Sequence, residues 1–111
     1  MRVAAVIGDL MLYSRIDAAA TSARASLRRV DDPAELSADE SFDLILVDWS
    51  ARRPGWAEAL HGRATPRVIL YGRHTDLEAH AAAREAGLGP MWARSKLVAG
   101  LPTLLMPQDR T

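Results

Sequence analysis

Three apolar runs, each too short for a helix, decide what this chain can become. They are RVAAVI (residues 2–7), DLILV (43–47) and VILY (68–71). Each is rich in Val, Ile or Leu and has no polar alternation, which is the pattern of a strand buried on both faces. Two weaker segments, SLRRV (26–30) and MWAR (91–94), fit shorter strands, the first near a sheet edge. Between the strands the apolar period changes to that of a helix. Leu12, Ile16, Ala19 and Ala20 predict one helix from Leu10 to about Ala23, after the break at Gly8-Asp9.

Start and stop signals place the remaining helices. Asp32 caps a short helix that begins at Pro33, has Glu35 three residues after the cap, and ends before Ser41. Residues 51–55 form a loop, and Trp56 to Arg63 a further short helix. Pro66 introduces the third strong strand. Thr75 and Glu78 make a capping box for a helix that runs through HAAAREA to its stop at Gly87. Ser95 caps a final segment, but Gly100 and Pro102 predict that Lys96 to Leu105 is broken or very short. Residues 1–106 form one domain and 107–111 a tail.

Strict alternation of strand and helix implies a parallel sheet covered on both faces. Right-handed crossovers give a flavodoxin-like three-layer α/β/α sandwich with strand order 2-1-3-4-5. Ligand sites in such sheets lie beyond the carboxyl ends of the strands, at the switch between strands 1 and 3. Asp9 and Asp48 stand at those two ends.

At this point the chain resembles the receiver domains of bacterial two-component response regulators. The resemblance rests on DLILVDWS, similar to the third strand and phosphoacceptor aspartate of that family. It also rests on AREAGLGPMWARS, similar to the approach to the family's lysine. It implies Asp48 at the phosphoacceptor position and Asp9 as one of an acidic pair, with Mg²⁺ held by both if a metal is bound, helped by the Ser50 carbonyl. Three departures stand out. Gly8 replaces the first acid. Tyr71 and Gly72 offer no hydroxyl at the expected place after strand 4. Arg94 takes the lysine position, with Lys96 two residues late.

Several cations flank the two acids in this topology: Arg52, Arg53, Arg73, His74, Arg94 and Lys96. The leading expectation is that Arg94 pairs with Asp48 or Asp9 and takes the place of metal and phosphate. The plainer alternative is that these side chains point into water. Trp92 is a candidate interface residue, or packs beneath the last helix; Trp49 is expected over the rim of the site. His61, His74 and His80 have no zinc-ligand spacing.

Composition narrows the rest. Acidic and basic residues balance at 14 each, which gives no field to attract nucleic acid or an anionic membrane. The absence of cysteine removes thiolate chemistry and disulfides. No Gly-rich phosphate loop is present. The expectation is a cytoplasmic, non-enzymatic pseudo-receiver that acts in signal transduction through a protein partner. That partner is a histidine kinase, another regulator or a second copy in a homodimer, and no cofactor is required. One alternative is a phospho-receiver that uses Asp48. Another is a module that binds a small anion or nucleotide at the Arg52, Arg53, Arg73 and Lys96 edge.

Overall fold

The structure, a computed structural model, describes residues 1–37, 39–61 and 67–106. The proposed tail, Arg63 and Pro66 lie outside these residues. Among them, five strands form one parallel sheet in the order β2-β1-β3-β4-β5. They are β1 (Arg2–Val6), β2 (Ser26–Val30), β3 (Leu44–Asp48), β4 (Val68–Gly72) and β5 (Trp92–Ala93). Register places Val6 beside Val30 on one side and Val47 on the other, and Asp48 beside Tyr71. The flavodoxin-like architecture is therefore the one expected.

Alternate residues of each strand go to opposite cores. Val3, Ala5 and Ile7, with Leu44, Leu46, Ile69 and Tyr71, face α1 (Leu10–Ser22) and α4 (Arg94–Leu104). Ala4, Val6, Ile45, Val47 and Leu70 face α2 (Trp56–His61) and α3 (Leu77–Ala86). The largest difference from expectation lies over this second face. Pro33–Glu35 is one turn of 3-10 helix, not a longer helix. Asp32 does cap it, accepting the Ala34 N–H at 2.8 Å. The chain then turns extended at Leu36, because local polar bonds compete with helix extension. The Ser37 hydroxyl accepts the Asp39 N–H at 3.2 Å, and Glu40 accepts the Ser37 N–H at 3.0 Å. Leu36 and Phe42 bury their bulk in this second core, together with Trp49 and with Trp56 of α2.

Two start signals are corrected. The cap of α3 is Asp76, whose carboxylate accepts the Ala79 N–H at 3.1 Å, not Thr75. A helix that begins at Leu77 turns Ala79 and Ala83 inward. The stop at Gly87 holds, with a left-handed φ of 69° that suits glycine.

The last helix is continuous, not broken. It starts at Arg94 behind Ala93, so Ser95 lies inside it and caps nothing. Leu97, Leu101, Leu104 and Leu105 are all buried against the sheet. Four leucines at about 1.5–3 kcal/mol each outweigh the penalties of about 1 kcal/mol for Gly100 and about 3 kcal/mol for Pro102. Pro102 also sits in the exposed final turn, where the Leu105 N–H still reaches Leu101 at 3.0 Å. Urea denaturation checks this account. Leu97→Ala lowers stability by about 2–5 kcal/mol, whereas Ser95→Ala shifts it by less than about 0.5 kcal/mol because no cap is lost.

Candidate functional site

The site is built at the carboxyl edge, where β1 and β3 deliver their acids. Asp9 is the N-cap of α1. One carboxylate oxygen accepts the N–H groups of Met11 at 3.0 Å and Leu12 at 3.2 Å. The other accepts the guanidinium of Arg94 at 2.5 Å. Both side chains keep part of their surface in water, 36% for Asp9 and 47% for Arg94. The Leu12 N–H, then Arg94, hold the Asp9 carboxyl below the usual carboxylate range. Arg94 is the first residue of α4, and this contact ties the starts of α1 and α4 together.

Asp48 ends β3 half-buried and has a different fate. Among the described residues it closes no salt bridge, and it makes no side-chain cap onto the 3-10 turn that follows, Trp49–Ala51. Burial raises its pKa. Arg94 opposes that rise, as do the N–H groups of Ala51 and Ser50, while Asp9 adds to it. Arg94 therefore acts on Asp48 only through its field, having given its hydrogen bond to Asp9. A cleft of about 240 Å³ opens beside Asp48, lined by Gly8, Asp31, Arg53 and Trp56 among others.

The end of β4 explains its own lack of a hydroxyl. Tyr71 is buried and its phenol oxygen has no hydrogen-bond partner among the described residues. Burial first, and then Asp48, push that phenol far above its ordinary pKa. A Cβ on Gly72 would run into the Ser50 hydroxyl and lie 2.9 Å from the Met91 sulfur. The space is taken by Ser50, whose hydroxyl accepts the Arg73 N–H at 3.1 Å.

The expected cationic edge is divided. Arg52 lies over the Trp49 ring at 5.6 Å and reaches Glu78 at 3.7 Å. Lys96 is drawn to the Trp92 ring, 4.4 Å from its centroid. Among the described residues Arg53 and Arg73 form no ion pair, and Arg53 lines the cleft beside Asp48. Trp92 is half-buried against the core beneath α4, with its ring 3.5 Å from a Cβ built on Gly100. Trp49 does not cover the rim. It is buried beneath α3, and its indole N–H donates to the Ala79 carbonyl at 3.1 Å. Among the described residues no three His, Cys, Asp or Glu side chains converge as metal ligands. Asp9 already carries two N–H donors and a guanidinium, so the donor set does not fit Mg²⁺ unless Arg94 is displaced.

Sequence reasoning missed three residues here: Ser50 as a hydroxyl acceptor, Asp76 as a cap, and Asp31 in the cleft. For Asp76 the signal was present, since an Asp directly before a helix is as good a cap as the Thr one position earlier. The contacts of Ser50 and Asp31 depend on the neighbouring strand and carry no local signature.

No family model matches the chain, and no curated protein does. Among solved structures it is similar to one described as a CpaE2 pilus assembly protein from Sinorhizobium meliloti 1021. That match has a TM-score of 0.60 and 17% identity, and covers 91% of this chain and 97% of the other. The likeness is one of fold. Among the described residues no helix is long and apolar enough to cross a membrane.

The two acids make opposite contributions to stability against pH. The pKa of Asp9 is depressed, so its contribution is present above the unfolded carboxylate value and is lost as pH falls through the folded one. Asp48 is raised, so its contribution is present at low pH and lost as pH rises through its folded value. Thermal unfolding across pH then gives Asp48→Asn a higher midpoint than the parent at neutral pH, a gain that fades in acid. Asp9→Asn shows the reverse, with a lower midpoint at neutral pH and a deficit that shrinks in acid.

Proposed function

We propose that the chain is a pseudo-receiver: a receiver-like domain that acts by contact with a protein partner, not by catalysis or by the usual aspartyl phosphorylation. The observation that carries this reading is the 2.5 Å pair between Arg94 and Asp9. A phosphorylatable site needs a free acid for the cation and a free cation for the phosphoryl oxygens. Here each neutralises the other, and the remaining Asp9 oxygen serves α1. The fold shared with a protein described as belonging to pilus assembly is in keeping with a module that works by contact. Of the four cations at the proposed anion edge, Arg52 is engaged by Glu78 and the Trp49 ring and Lys96 by the Trp92 ring, which weighs against an anion or nucleotide site there.

A second reading, a working phospho-receiver, has one observation in its favour: Asp48 lines a cleft and has no salt bridge among the described residues. Tryptophan fluorescence with Mg²⁺ and beryllofluoride separates the two, because Trp49 follows Asp48 directly. The pseudo-receiver gives no response in the parent. A Mg²⁺-dependent response that vanishes in Asp48→Asn establishes the phospho-receiver instead. Mass measurement after treatment with a small phosphodonor gives the same decision independently of optical signals.

A further inference from the structure

The two faces of the sandwich differ in surface character. On the α1 side, Leu10 and Met11 open the helix with 66% and 84% of their surface in water. Arg15 follows Met11 by one turn and lines the same groove between α1 and α4. It is exposed, and among the described residues it forms no ion pair. An apolar knob is thus followed by an unpaired guanidinium.

The opposite face carries a groove of about 630 Å³ between α2 and α3. Small side chains line its helices, Ala57 on α2 and Ala82 and Ala86 on α3. Its rim is acidic: Glu58 stands on one wall, Glu78 and Glu85 on the other, all exposed. Glu78 and Glu85 are two turns apart, about 10 Å along the helix. Among the described residues Glu58 and Glu85 have no ion pair, and Glu78 meets Arg52 at 3.7 Å with its side chain 92% exposed. Asp76 is a fourth acid against Arg52 and Arg53, so the lining is net negative.

We propose that the groove between α2 and α3 receives the start of α1 from a second copy of this chain, so that copies join head to tail. The inference rests on the contact-based reading above and names its partner. Charge complementarity selects the occupant. The chain has 14 acidic and 14 basic residues, yet it sets an unpaired arginine beside the knob and unpaired glutamates around the groove. Methionine is unbranched and adaptable, which suits a groove walled by alanines. Knob and groove belong to opposite faces of one sheet, since α1 packs on the first core and α2 and α3 on the second. Two copies therefore cannot fill each other's grooves at once. Each added copy leaves one knob and one groove open, and the assembly grows or closes into a ring.

Sedimentation velocity of the parent chain tests this. Its mean mass rises past that of a dimer as protein concentration increases, and falls again with added salt, which screens the rim charges. A knob variant, Met11→Ser/Arg15→Glu, and a groove variant, Glu58→Lys/Glu85→Lys, each raise the concentration needed for association by about tenfold or more. All four positions are at the surface, and circular dichroism checks that both variants fold. Mixed in equal amounts, the two variants form dimers and nothing larger, because one intact knob then meets one intact groove. A parent that stays monomeric at every concentration overturns the proposal and leaves the groove to a basic segment of another protein. So does a variant that associates like the parent, or a mixture that fails to form dimers. These outcomes do not depend on the Mg²⁺ and beryllofluoride response, so the two proposals fail separately.

Discussion

The carboxylate of Asp9 is the point on which the site turns. It closes the first turn of α1 and at the same time accepts Arg94 from the start of α4. Each role favours the ionised form, and together they leave Asp9 little freedom to serve anything else. The consequence falls on its neighbour. Asp48, without a salt bridge among the described residues, has its pKa raised by partial burial that Arg94 and the nearby N–H groups offset only in part. Two acids at adjacent strand ends are thus driven apart by environment, one fixed as structure and the other kept available.

The second organising element is the turn after β3. Trp49 enters the core, Ser50 fills the space beside Gly72, and Arg52 reaches outward to Glu78. The second face of the sheet is covered between β2 and β3 by a single 3-10 turn and by apolar bulk, whereas Trp49 is buried beneath α3, where its indole N–H donates to the Ala79 carbonyl.

Much of the architecture was legible in the residues. RVAAVI, DLILV and VILY could only be central strands, and Gly87 marks a helix end by the backbone freedom that position needs. Other elements were misread where local and tertiary preferences compete. Gly100 and Pro102 speak against a helix, but Leu97, Leu101, Leu104 and Leu105 find a sheet face that rewards one. Around Pro33 the conflict runs the other way: a good start signal is cut short by the Ser37 and Glu40 side chains accepting nearby backbone N–H groups.

Strand order, the two faces and the positions of Asp9 and Asp48 at one edge followed from the sequence, because the periodicity of apolar residues is a local property that survives any detail of packing. The choice of partner did not. Whether Arg94 would meet Asp9 or Asp48, and whether Ser50 or a residue of β4 would fill the space beside Met91, depends on side chains from strands far apart in the chain. Those contacts exist only once the sheet has closed and α1 and α4 lie side by side, so only the tertiary structure could decide them.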